Sequence, residues 1–287
     1  MALRPLSRLT FAFASLLLGV PVATEASGHG PVYGLATPTL GKGAWSLDVA
    51  AMDRRVGGQR MNMLRPMLGY GITEDLQLSL SLPMPLQIPA GLPPARMMAM
   101  MPSNPDVELL VGWRFHRTGP AVGARFESTA YFGFDYPTDF VRGSVRTAPG
   151  LTAGAATGYA SRSVYAWAGG LYRRYMTPTG ASSEHPGDVA LYSLVLGFRP
   201  ARFRKDYPHP DWRVFVEVVG EYNARDRLAG RTLPDTGGHQ LFVGPTLLGL
   251  YGNWGVSGGP AFRMAGRRNG NQPEDRVRTV INFTFWF

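Results

Sequence analysis

Every second residue is apolar over stretch after stretch of this chain of 287 residues. In "DVELLVGWRFH", Val107, Leu109, Val111, Trp113 and Phe115 alternate with Glu108, Gly112, Arg114 and His116, and Leu110 is the one exception. A repeat of two is the period of a strand, in which successive side chains leave on opposite faces. Leu76 to Leu82 alternates without a fault. "NWGVSGGPAFRM" sets Trp254, Val256, Phe262 and Met264 against Ser257 and Arg263. "RVRTVINFTFWF" sets Val277, Ile281, Phe283, Phe285 and Phe287 against Arg276, Arg278, Asn282 and Thr284. About twelve such segments emerge, near 43–54, 60–72, 75–83, 106–117, 121–135, 147–160, 163–175, 188–199, 211–223, 239–251, 253–265 and 276–287. An apolar face on that many strands needs either a large core or a lipid solvent.

The connections favour lipid. Those at 73–75, 117–120, 161–163 and 251–253 are short, and those at 84–105, 136–146, 176–187, 224–238 and 266–275 are long. Short and long connections alternate between periplasmic turns and extracellular loops in transmembrane barrels. The stretch 199–210 is long for the short side. The expected fold is therefore all-β, a transmembrane antiparallel β-barrel of about twelve strands.

Residues 1–26 carry Arg4 and Arg8, then an apolar run from about Leu9 to Val22, then small residues, which is the layout of a cleaved signal peptide. Residues 27–42 then form a periplasmic lead-in or a plug that enters the lumen, and 43–287 form the barrel. After the leader no run of about twenty apolar residues remains. The chain has no Cys, which excludes a disulfide framework, a thiolate metal site and a Cys nucleophile. Its formal charge of +9 becomes about +8 once Arg4, Arg8 and Glu25 leave with the signal peptide. For an exported chain, that basicity suits outer-membrane lipids, the phosphates of lipopolysaccharide or a cation-lined lumen, and not nucleic acid.

The same alternation predicts the lumen. It turns Arg65, Glu108, Arg114, His116, Arg125, Glu127, Arg174, Arg213, Glu217, Glu221, Arg263, Arg276 and Arg278 inward. Such residues either line a water path as a selectivity ladder or pair across it as packing. The connection 83–105 holds Met84, Met97, Met98, Met100 and Met101 among prolines. Thioethers are flexible apolar filler, suited to a gate or solute-contact loop, and also soft ligands for Cu(I) or Ag(I). No catalytic residue and no cofactor is predicted. "TPTLGKG" has Ala36 where a phosphate loop needs its first Gly, and the five His are isolated in sequence.

The stretches "GLATPTLGKGAWSLD", "LGYGITEDLQLSLSLP", "VGWRF" and "GPTLLGLYGNWGVSGGPAF" resemble the outer-membrane family assigned to the MetA-pathway of phenol degradation. That resemblance implies one barrel passing hydrophobic or aromatic compounds. Phe283, Phe285 and Phe287 likewise resemble the C-terminal signal read by the barrel assembly machinery, which would be a partner. The expected function is passive passage of a small-molecule solute through the bacterial outer membrane. The alternatives are a metal-linked protein whose Met-rich loop contacts Cu(I) or Ag(I), and an outer-membrane lipid hydrolase.

Overall fold

The computed structural model describes residues 30–87, 107–136, 148–176, 184–204, 209–273 and 275–287. The leader and Met97, Met98, Met100 and Met101 lie outside the described residues. Sixteen strands are present among them: β1 Trp45–Val56, β2 Gln59–Gly71, β3 Leu76–Ser81, β4 Met84–Gln87, β5 Val107–Ala121, β6 Ala124–Tyr136, β7 Gly150–Ala160 and β8 Val164–Tyr175. There follow β9 Glu184–His185, β10 Val189–Phe198, β11 Asp211–Asn223, β12 Arg227–Leu228, β13 Arg231–Thr232, β14 Gly238–Tyr251, β15 Trp254–Arg268 and β16 Asp275–Trp286. No described helix is long and apolar enough to cross a membrane.

Neighbouring strands pair antiparallel, and β1 pairs with both β2 and β16, so the sheet closes on itself. β3 and β4 both pair with β2, at 67–71 and 62–64, and are two pieces of one barrel strand interrupted at Leu82 and Pro83. Proline cannot donate to a ladder, and Pro83 stands at the break. The result is a closed antiparallel β-barrel of twelve strands. At the seam, the Trp45 N–H donates to the Phe287 carbonyl at 2.9 Å and the Phe287 N–H returns the bond at 3.1 Å. β9, β12 and β13 form a separate small sheet at the end of the barrel where the long connections lie. The alternation did not foreshadow it.

The outer wall is apolar. Leu47, Val49, Leu109, Phe132, Leu194, Val216, Val256 and Ile281 are all exposed on alternate positions of their strands. At the short-turn end the wall carries aromatics. Trp254 packs on Phe285 at 4.2 Å and on Phe283 at 5.0 Å, and Trp45 packs on Tyr70 at 4.5 Å. An apolar band of that extent is costly in water, at roughly 25 cal/mol per Å². It is the surface a barrel turns to hydrocarbon.

The expected strand limits differ most at β5, which continues through "RTGP" to Ala121 and turns at Val122 and Gly123. The long connection 199–210 begins with a 3-10 turn at Ala201–Phe203.

Candidate lumenal site

The inner faces of the strands carry the charge. Three networks stand out. In the first, Asp275 takes Arg54 at 2.8 Å and Arg278 at 2.7 Å, and Arg278 also reaches Glu221 at 3.0 Å. The Arg278 guanidinium lies 4.1 Å over the Phe242 ring. In the second, Arg173 bridges Asp135 at 2.7 Å and Glu108 at 3.0 Å, and the Thr152 hydroxyl donates to Asp135. Arg65 is half-buried within electrostatic reach of Glu108 and Asp48. In the third, near the short turns, Arg114 joins Glu127 at 3.0 Å and Asp75 at 2.8 Å, with Arg125 3.4 Å from Glu127. Arg213 pairs with Asp211 at 2.7 Å and stacks on Tyr165. Arg263 is half-buried, and its Nη2 donates to the Gly266 carbonyl. Charges inside a barrel are tolerable when paired in this way, because an unpaired one bears its full desolvation cost.

Three residues expected inward are not. His116 faces out, against Phe126 at 6.1 Å between ring centroids. A bulge at Arg114/His116 puts one extra residue in β5, so Arg114 opposes Thr129 while His116 opposes Ser128. Arg174 is exposed opposite Leu151, and its neighbour Arg173 is the inward residue. Arg276 is exposed beside outward Arg55, because a shift at Arg55/Val56 gives the buried place to Asp275. Met84 projects outward next to Leu82 and Leu86, and is 48% exposed. The buried methionines are instead Met52, Met61 and Met63, which pack in the lumen with Val32 and Tyr33.

A segment preceding the first strand occupies the lumen. Glu217 accepts the backbone N–H groups of Val32 at 2.7 Å, Tyr33 at 2.8 Å and Gly34 at 2.7 Å, and also the Thr246 hydroxyl. Ser193 Oγ accepts the Leu35 N–H at 3.0 Å. Tyr131 donates to the Ala36 carbonyl, Thr129 to the Thr37 carbonyl at 2.6 Å, and Gln77 accepts the Leu40 N–H at 2.9 Å. The Tyr33 hydroxyl donates to the carbonyls of Gly259 and Arg278. Burial, and then the Glu217 carboxylate, raise that hydroxyl above its usual range, so it remains a donor. Apolar side chains complete the seat. Val32 and Tyr33 join one buried cluster, and Leu40 joins another with Tyr165, Trp167, Phe215 and Trp286.

The backbone of this segment passes so close to β2 that a Cβ on Gly71 would lie 1.9 Å from the Gly41 carbonyl oxygen. Gly43, at φ +77°, then makes the left-handed turn into β1. Among the described residues, no group of three or more His, Cys, Asp or Glu could hold a metal.

No protein-family model matches the chain, and no curated protein does. Solved structures do. The COG4313 outer membrane channel from Pseudomonas putida F1 superposes with a TM-score of 0.62 at 12% identity, over 89% of this chain and 100% of that one. The NanC porin superposes with a TM-score of 0.50 at 8% identity, over 83% of this chain and 98% of that one. At those identities the likeness is one of fold, and the fold is that of outer-membrane channels and porins.

Proposed function

We propose that this chain is an outer-membrane channel of a Gram-negative bacterium through which small molecules pass down their gradient, with residues 30–44 as the element that controls the lumen. The observation that carries the reading is the seat of that segment. A single buried carboxylate, Glu217, takes three consecutive backbone N–H groups of a strand-free stretch inside a closed barrel. A lumen filled for stability alone needs only side chains from the wall. A separate segment that is seated by hydrogen bonds and apolar contacts, and that pairs with no strand, can leave without opening the sheet. Hydrophobic or aromatic solutes suit the aromatic cluster of Tyr165, Trp167, Phe215 and Trp286 beneath it, and the resemblance to the phenol-degradation family points the same way. The paired Arg and Glu then act as a filter once the segment moves. Outer-membrane lipids, lipopolysaccharide and the barrel assembly machinery are the partners this reading requires.

Single-channel recording in a planar bilayer tests it. The full chain is expected to give discrete ohmic steps. Glu217→Ala, which leaves the three N–H groups without their acceptor, is expected to raise open probability. A correctly folded barrel that stays silent in both forms overturns the proposal.

A further inference from the structure

The long-connection end of the outer wall carries an unbalanced cluster of arginines. A cavity of about 630 Å³ opens there between the barrel wall and the small sheet, lined by Arg174 and Leu151 on one side and by His185, Arg225 and Arg227 on the other. Among the described residues, no carboxylate pairs with Arg174, Arg225 or Arg227. The one acid in the lining, Asp188, is already engaged by the Tyr172 hydroxyl at 2.6 Å and the Tyr175 N–H at 3.1 Å.

Two features below the cavity show what kind of anion it suits. First, outward Tyr172, Tyr222 and His239 lie in one register row around the wall, joined through Ala190. His239 also meets the Tyr192 hydroxyl at 2.5 Å. Amphipathic rings with polar tips mark the level of a membrane interface. Second, the wall beneath Arg174 and Leu151 is unusually shallow. Ala153 and Ala155 on β7 and Gly170 and Ala168 on β8 face outward, with Tyr172 between Gly170 and Arg174, while the flanking strands raise Phe132 beside Ala153 and Leu194 beside Ala168, both about half-exposed. A groove thus leads from the arginines over Ala153, between Phe132 and Tyr172, and widens to the β7–β8 pair at Ala155, Gly170 and Ala168 in the apolar band.

We infer that Arg174, Arg225 and Arg227 bind the phosphate of an outer-leaflet phosphoglycolipid of the lipopolysaccharide type, one acyl chain of which lies in the β7–β8 groove. The inference rests on the outer-membrane reading above. Guanidinium groups match phosphate oxygens in charge and geometry, and basic pockets at a membrane surface hold phosphorylated head groups. A soluble anion would use the arginines and have no use for the groove.

The test uses the full chain purified in detergent and native mass spectrometry, with bis-phosphorylated hexa-acyl lipid A as the probe. Arg174→Gln, Arg225→Gln and Arg227→Gln combined are expected to weaken binding at least about tenfold. Ala155→Leu with Ala168→Leu, which fills the groove with side chains that a lipid-facing wall accepts, is expected to weaken it several-fold. Heat-modifiable migration on gels verifies both barrels. Binding within about twofold of the parent in both variants overturns the inference. So does inorganic phosphate displacing the lipid at equimolar concentration, which would assign the cluster to a free anion. Conductance of the arginine variant in phospholipid bilayers is expected to match the parent. Loss of lipid binding with unchanged conductance therefore separates this site from the channel reading, and a silent parent that still binds lipid A removes only the latter.

Discussion

Asp275 shows what one lumenal carboxylate does. It is wholly buried and receives Arg54 and Arg278, both also buried. Asp275→Asn keeps the shape and removes the charge, leaving two buried guanidinium groups without that shared carboxylate. Breaking a buried pair in this way costs about 3–5 kcal/mol. The expected outcome is a clear fall in the urea midpoint for unfolding from vesicles. Asp53→Asn is the internal control. Its partner Arg60 is 60% exposed, and an exposed pair contributes between 0 and about 1 kcal/mol. Equal midpoints for the two variants would mean that the lumen is wet enough to screen its charges. Residue-scale facts of this kind were only partly legible in the sequence. Strict alternation identifies Glu217 as inward because β11 has no irregularity, and Arg278 because the alternation of β16 runs unbroken after the shift at Asp275. It fails at His116, Arg174 and Arg276. A bulge at His116, a register shift at Asp275 and a choice between two adjacent arginines each depend on how the neighbouring strand pairs. Arg54 and Asp135 are legible by the same alternation in "DVAAMDRRV" and "YFGFDYP".

At the scale of elements, the twelve barrel strands follow from alternation and turn residues, while the small sheet of β9, β12 and β13 does not, since two-residue strands carry no period. The segment 30–44 is invisible to periodicity altogether. It has no regular structure, and its seat is built by residues from distant strands: Ser193, Glu217, Thr129 and Tyr131. Its mobility is testable because the chain contains no native cysteine. A Cβ built on Gly34 lies 3.3 Å from the Ser193 Cβ, near the spacing a disulfide needs. It would also meet Val195 Cγ2 at 2.4 Å, so Val195→Ala must accompany the pair. Gly34→Cys with Ser193→Cys and Val195→Ala is expected to silence conductance when oxidised and restore it on reduction. Conductance that ignores the redox state would mean that solutes pass beside a stationary segment.

For the whole molecule, the face of the sheet that serves as core decides between a soluble fold and a membrane barrel. In a soluble β-sandwich the outward apolar residues would be buried and the inward charges would meet water. Here Leu194 is 48% exposed and Val195 is fully buried, next to each other on β10. Leu194 sits near the middle of that strand, opposite outward Ala168 and Val218. If the outer wall contacts hydrocarbon, Leu194→Arg must carry a charge to the middle of the bilayer, at a cost of about 2–4 kcal/mol. Leu228→Arg provides the comparison, since Leu228 is 46% exposed on the small sheet, away from the apolar band. Unfolding in phospholipid vesicles, followed by urea titration, is expected to show the full penalty at Leu194 and almost none at Leu228. A protein with a water-facing wall would show the reverse economy, with both arginines harmless and the apolar band driving association instead. The depth dependence of that penalty, repeated at Leu47 near the short turns, would then locate the membrane boundaries on the wall and place the Tyr172, Tyr222 and His239 row relative to the outer interface.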